Sequence, residues 1–244
     1  MLQCPPYAQL RSFFVYSLLP LWRISPAQSL GPAETLVNDR MDSVPSGFRW
    51  LQQDLDSAQQ RSLLGAVRDV IAVAPLFQPC MPRTGKPFGV RMTNCGSLGW
   101  VSDQARGYRY QATHPEPQQP WPPIPPAILA VWERHANFHA PPEACLINYY
   151  DVGRKMGSHV DRDEQTFDAP VLSISLGDTA KFHIGGLKRG DPKQRLQLRS
   201  GDVAVMGGAS RLCFHGIDRV LQDTSTLLSE GGRINLTLRR VTAC

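Results

Sequence analysis

No two of the six cysteines form a CxxC pair. Cys4, Cys80, Cys95, Cys145, Cys213 and Cys244 are scattered along the chain. This argues against a disulfide framework or a zinc knuckle and suits a reducing compartment, so a cytoplasmic location is expected. Several of them lie in apolar runs, where a free cysteine is usually a small buried hydrophobe. Long hydrophobic runs are missing too. The most membrane-like stretch is "FFVYSLLPLW", which Pro20 interrupts. It is far short of the roughly 20 apolar residues a bilayer needs. It also fits a signal peptide poorly, lacking a basic start and a small-residue cleavage site. No membrane association is expected. There is no internal repeat and no low-complexity tract. Acidic excess is absent as well: the formal net charge is +5 and the pI about 9.0. That balance permits a polyanionic partner such as nucleic acid without requiring one. Three arginines against two acids leave the first 40 residues at only +1, so the excess belongs to the body of the protein.

What is present is ordinary globular material. The 244 residues, 42% apolar and 19% charged, are enough for one sizeable core, and a monomer is expected. Met41 offers a second start, and residues 1–45 are set apart as an extension to which no order is assigned. "DLDSAQQRSLLGAVRDVIAVAP" predicts a helix capped by Asp56, with Leu63, Val67, Val70 and Ile71 on one stripe and Pro75 as its stop. "GVRMTNCGSLGWVSDQARGYRYQ" predicts short strands and a loop. A proline-dense connection, "HPEPQQPWPPIPP", leads into a second helix over about 127–137. From residue 144 onward seven strand-like runs, from "ACLINYY" to "RINLTLRRV", are punctuated by Gly and Asp at sandwich or barrel spacing. The expected class is mainly β with flanking helices (α+β), with a double-sheet jelly roll as its core.

The chemistry begins in "GSHVDRDEQ". On a strand, residues i and i+2 share a face, so His159 and Asp161 can aim an imidazole and a carboxylate at one point. One further histidine would complete a two-histidine, one-carboxylate set that leaves open positions on a non-haem Fe(II). His183 in "KFHIGG" and His215 in "RLCFHGI" both qualify. Alone, HxD also describes a solvated turn. The last strand adds a second argument, because Arg233, Asn235, Thr237 and Arg239 alternate with Ile234, Leu236 and Leu238. If the apolar face packs on something, the other face carries two guanidiniums inward, where buried charge needs an anionic partner. A small dicarboxylate between them would serve; an edge strand with solvated arginines is the competing reading. Metal set plus dicarboxylate clamp suggests a 2-oxoglutarate-dependent oxygenase.

The segment "CLINYYDVGRKMGSHVDRDEQTFDAPVLSISLGDTAKFHIGGLKRGDPKQRLQLRSGDVAVMGGASRLCFHGIDRV", then "GRINLTLR", closely resembles the bacterial AlkB family of Fe(II)/2-oxoglutarate-dependent DNA-repair dioxygenases. "MTNCGSLGW" and "GYRY" upstream resemble it too, so the likeness covers about residues 85–240. It implies one dioxygenase domain over 46–244, with a double-stranded β-helix core at about 144–241 and a nucleotide-recognition lid at about 85–115. It implies iron on His159, Asp161 and His215, leaving His183 a sheet residue. It implies 2-oxoglutarate, with O2 as second cosubstrate, held by Arg233, Arg239, Asn148, Tyr150 and Asn235. It implies oxidative demethylation of 1-methyladenine and 3-methylcytosine in DNA, with RNA as a further substrate class, releasing formaldehyde, succinate and CO2. The base would be gripped by Trp100 and Tyr108 against His159, with Arg189 nearby. Asp163, two residues past Asp161 on the same strand face, would read the cationic base, and Glu164 would be solvated. One departure is Met206, where the family usually has tryptophan. The same iron chemistry on transfer RNA or protein is an alternative. A non-catalytic nucleic-acid-binding jelly roll is another, and it predicts a broken triad or clamp.

Overall fold

The first helix is built from its cap upward. Asp56 Oδ1 accepts the backbone N–H groups of Ala58 and Gln59, both at 2.8 Å, and the Gln59 side chain accepts the Asp56 N–H at 2.9 Å. This reciprocal cap satisfies amides that have no partner inside the helix, and α1 (Ser57–Val73) starts where the sequence predicts. Leu63, Leu64, Val67 and Val70 are its buried face. Asp56→Ala is expected to lower stability by about 1 kcal/mol. Denaturant unfolding checks this, with the midpoint falling at constant slope; an unchanged midpoint would refute the cap's role.

The structure is a computed structural model and describes residues 44–243. All but the last two residues of the 1–45 extension lie outside the described residues. β1 (Phe48–Leu51) precedes α1; after α1 come β2 (Arg91–Gly96), β3 (Gly99–Asp103), β4 (Gly107–Gln111), α2 (Pro126–His135), β5 (Ala144–Tyr150) and β6 (Met156–His159). β7 (Val171–Gly177), β8 (Ala180–Ile184), β9 (Gln194–Leu198), β10 (Val203–Met206), β11 (His215–Val220) and β12 (Arg233–Arg239) complete it. Each of the seven runs from residue 144 onward contributes a strand, although "RLCFHGI" does so only from His215 onward. α2 ends earlier than the expected 137 because Asn137 adopts a left-handed φ of 50°, which stops a helix.

Two antiparallel sheets face each other, one ordered β1-β10-β7-β12-β5-β2 and one ordered β6-β11-β8-β9. This is the expected jelly-roll core. The large sheet is buried on both sides. Leu172, Ile174, Cys145, Ile147, Leu236 and Leu238 pack with the buried stripes of α1 and α2. Their alternates Ser173, Asn148, Tyr150, Arg233 and Asn235 face a cavity between the sheets. β12 is therefore central, not an edge strand, and its arginines are buried. Two glycines make its entry possible. Gly177 and Gly232 have φ of +85° and +86°, and a Cβ there would stand 2.6 Å from the Gly232 carbonyl oxygen and 2.7 Å from that of Tyr150.

The stretch expected as a lid, about 85–115, divides. β2 joins the large sheet beside β5, with Cys95 opposite Cys145, because its buried residues complete that sheet's core. Only β3 and β4 form a separate two-stranded hairpin.

Candidate metal centre and active site

β6 and β11 are antiparallel neighbours, and their register sets His215 directly across from His159. The rings lie 4.5 Å apart. As the chain leaves β6 it turns Asp161 toward both: His159 Nε2 is 3.6 Å from Asp161 Oδ1, and His215 Nε2 is 3.7 Å from Oδ2. The Nδ1 atoms point the other way, to the carbonyls of Gly157 at 2.9 Å and Cys213 at 3.1 Å. A carbonyl only accepts, so each Nδ1 carries the proton and each Nε2 offers its lone pair to the shared point. The three potential ligand atoms lie within 4.8 Å of one another. Burial, the largest influence, and the neighbouring His159 lower the pKa of His215 to about 4, leaving it neutral. Burial alone would raise Asp161, yet Arg239, His215 and His159 hold it well below the usual carboxylate range. Two imidazoles and a carboxylate gathered on one side fit a divalent iron. His183 is not part of this group: its Nδ1 meets Asp218 Oδ1 at 2.8 Å on β8.

The triad opens into a cavity of about 570 Å³, lined also by Asn148, Tyr150, Met206, Arg233, Asn235 and Arg239. The two arginines differ sharply. Arg239 is paired, with Nη2 2.8 Å from Asp161 and Nη1 3.4 Å from Glu164. Arg233 is 0% exposed, and no carboxylate among the described residues forms an ion pair with it. Its fork donates to Ser175 Oγ at 2.7 Å and more distantly to the Asp178 and Leu198 carbonyls. Its Nε has no partner, nor does that of Arg239. Burial lowers Arg233 to about 10. A buried cation without a counter-charge, beside unused donors in a cavity, fits an acid ligand such as 2-oxoglutarate. Asn148 Oδ1 is also unpartnered. Asn235, by contrast, spends its amide on Ser173 at 2.6 Å and accepts from Thr237 at 2.9 Å. The Tyr150 hydroxyl reaches Met156 sulfur at 3.6 Å, and burial raises its pKa.

At the cavity mouth Trp100 stacks on Tyr108, centroids 5.5 Å apart and planes 22° from parallel. Trp100 Nε1 donates to Asp163 Oδ2 at 2.8 Å. Asp163 thus lines the cavity, but for a different reason than its spacing suggested: β6 ends at His159, so Asp161 and Asp163 do not share a strand face. Arg189 donates to the Ser158 carbonyl at 2.5 Å and lies over the Phe214 ring. Glu164 is not solvated. It is buried, takes the Tyr110 hydroxyl at 2.7 Å and lies 3.2 Å from Arg211. Sequence reasoning missed Tyr110, Arg211 and Glu164 as a group, since nothing in their spacing brings them together.

The sequence matches the 2OG-Fe(II) oxygenase superfamily over residues 47–239. It is 53% identical over 198 residues to the "Alpha-ketoglutarate-dependent dioxygenase AlkB homolog" of Caulobacter vibrioides, covering 81% of this chain and 89% of that one. It is 40% identical over 103 residues to "DNA N(6)-methyladenine demethylase ALKBH1A" of Arabidopsis thaliana, covering 40% of this chain and 30% of that one. Among solved structures, that of OsALKBH1 superposes with a TM-score of 0.67 at 29% identity, covering 81% of this chain and 97% of that one. The converging histidines and carboxylate, the jelly roll that holds them and these likenesses agree, and the chain belongs to the 2OG-Fe(II) oxygenase superfamily as an AlkB-type Fe(II)/2-oxoglutarate-dependent dioxygenase.

Proposed function

We propose that this dioxygenase is an oxidative demethylase of N-alkylated bases, acting on 1-methyladenine and 3-methylcytosine in DNA and extending to RNA. The observation that carries the reading is Arg233: a fully buried guanidinium with no acid partner among the described residues, on the same cavity as the His159–Asp161–His215 group. In this reading those three residues hold the iron. Arg233 takes a carboxylate of 2-oxoglutarate on its unused donor, Arg239 presents its free Nε to the same ligand, and Asn148, Tyr150 and Asn235 line it. Iron, 2-oxoglutarate and O2 together supply the oxidation, converting the N-methyl to N-hydroxymethyl while 2-oxoglutarate becomes succinate and CO2. The hydroxymethyl group then leaves as formaldehyde without a side-chain acid or base.

The protein's part is positioning. A base inside a duplex does not reach such a cavity, so it is flipped out or taken from a single strand. Trp100 and Tyr108 offer it an aromatic face and the hairpin β3–β4 acts as the lid, within one domain over 46–244. Asp163 offers its carboxyl group beside the place where a positively charged methylated base would lie. Lys155, Arg162 and Arg189 line the mouth and form no ion pair among the described residues, which suits phosphate contact. Among the described residues no helix is long and apolar enough to cross a membrane; a cytoplasmic monomer is part of the same proposal. The assembled triad speaks against a non-catalytic binding role.

The assay is formaldehyde and succinate release from methylated oligonucleotides supplied with Fe(II), 2-oxoglutarate and O2. Absence of turnover on both bases, in DNA and in RNA, would sink the proposal; turnover confined to transfer RNA would shift it to the alternative substrate. Asp163→Ala should reduce base demethylation by about 10- to 100-fold, the loss of one charge-assisted hydrogen bond of about 1.5–3 kcal/mol. The 2-oxoglutarate consumption seen without a base should persist. Equal loss of both activities would contradict the role given to Asp163.

A further inference from the structure

β3 and β4 set Trp100 directly opposite Tyr110. Each of these partners reaches out of the hairpin to an acid, and the two acids are neighbours in sequence. Trp100 donates to Asp163 at 2.8 Å, and the Tyr110 hydroxyl donates to Glu164 at 2.7 Å. The Glu164 side chain is 0% exposed. A carboxylate there needs compensation, and it comes from Arg211 Nη2 at 3.2 Å and Arg239 Nη1 at 3.4 Å. Both guanidiniums also hold Asp161. Arg239 Nη2 is 2.8 Å from its carboxylate, and Arg211 Nη1 donates to its backbone carbonyl at 2.8 Å. Arg239 Nη1 further donates to the Tyr110 hydroxyl at 2.9 Å. An unbroken chain of polar contacts therefore runs from the hairpin through Tyr110, Glu164 and Arg239 to Asp161.

We propose that Tyr110 and Glu164 are positioning residues that couple the seating of the β3–β4 hairpin to the orientation of Asp161. The coupling lies in the shape of Arg239. Its guanidinium is a rigid planar fork: one nitrogen is fixed by Asp161 and the other by Tyr110 and Glu164. Turning toward either partner moves it relative to the other. A cation drawn to Asp161 thus sets Arg239, and Arg239 sets the hydroxyl that holds the hairpin down. Lifting the hairpin withdraws that hydroxyl and leaves that arm of the fork to Glu164 alone. Arg211 adds the second constraint, since it grips both the Asp161 backbone and Glu164, the two ends of the short turn between them. The consequence for catalysis rests on the reading of this hairpin as the element that grips the base.

The test is amide hydrogen exchange over residues 99–111 in the full chain, with and without Mn(II) as a non-turning-over probe. In the wild type, Mn(II) should slow exchange there by about fivefold or more. In Tyr110→Phe and Glu164→Gln, Mn(II) should still bind, as its solution electron-spin signal reports, but the slowing should shrink below about twofold. Undiminished protection in the variants overturns the proposal, and so does a wild type whose hairpin ignores the metal. Should Glu164→Gln not fold, Tyr110→Phe decides alone, because it removes one oxygen and leaves both arginine pairs in place. In the oligonucleotide assay Tyr110→Phe should raise KM for the methylated strand about fivefold while KM for 2-oxoglutarate stays within about twofold. A merely structural role would lower stability without that split. Failure of the wild type to demethylate any oligonucleotide would remove the substrate reading and leave the exchange result standing.

Discussion

Asp161→Ala and His159→Ala are each expected to abolish succinate release, with or without a methylated base. The three potential ligands are held by different means, which makes each indispensable. His159 and His215 are opposed across β6 and β11, and the carbonyls of Gly157 and Cys213, each two residues before its histidine, fix both tautomers. Asp161 is fixed by Arg239 and by the Arg211 bond to its backbone. In the proposed reading, losing one donor would leave two to hold the ion. The metal's share of such a reaction is several kcal/mol, so a fall of about 1000-fold or more is expected. Asp161→Ala carries a second consequence, because Arg239 loses its nearest counter-charge inside the protein. His159→Ala does not, since His159 lies at the mouth and is the least buried of the three. Its fold should be unchanged in denaturant unfolding, which makes it the cleaner test. Near-normal turnover in both variants would remove the metal assignment. His183→Ala is the control: it should leave turnover within about twofold, since its ring is tied to Asp218 outside the triad.

The parts of this molecule that were legible in the sequence are those governed by period. β12 announces itself because Ile234, Leu236 and Leu238 alternate with polar residues, and the structure lays the first set on the helix-covered face and the second on the cavity. α1 announces itself through Asp56 and a stripe at helical spacing. What failed was reasoning that extended a period past the end of its element. Asp163 was set beside Asp161 by assuming that β6 continues, whereas the strand stops at His159 and the cavity wall there is irregular chain. Glu164 was read as solvated because an acid among charges has no partner visible nearby in sequence. Its partners Tyr110, Arg211 and Arg239 come from β4, the turn before β11 and β12, which meet only in the folded chain. The choice between His183 and His215 differs, because the family resemblance already implied His215. Spacing alone allows either, and strand pairing gives the physical reason: His215 opposes His159, whereas His183 meets Asp218.

Arg233→Met is expected to separate stability from function. An arginine with no counter-charge is an unusual thing to bury: the Arg233 guanidinium is fully enclosed, and among the described residues its only hydrogen-bond partners are the Ser175 hydroxyl and two carbonyls. Exchanging a buried, poorly compensated ion for an apolar chain of similar length is often neutral or stabilising. The ligand-free variant should therefore unfold within about 1 kcal/mol of the wild type, or later. Affinity for 2-oxoglutarate should behave oppositely. Truncating one side of a buried charge pair costs roughly 2–5 kcal/mol, a loss of thirtyfold or more. Thermal unfolding with Mn(II) reads both at once, because a ligand at a hundred times its Kd adds about 2.7 kcal/mol to the folded state. The wild type should gain that on addition of 2-oxoglutarate, and Arg233→Met almost none. Arg233→Lys keeps the charge but not the fork, and should recover only part of the gain. Equal protection of the wild type and Arg233→Met by 2-oxoglutarate would mean that the cosubstrate is held elsewhere. The unpaired guanidinium would then have no ligand to explain it, and the clamp would reduce to Arg239, which Asp161 and Glu164 already occupy.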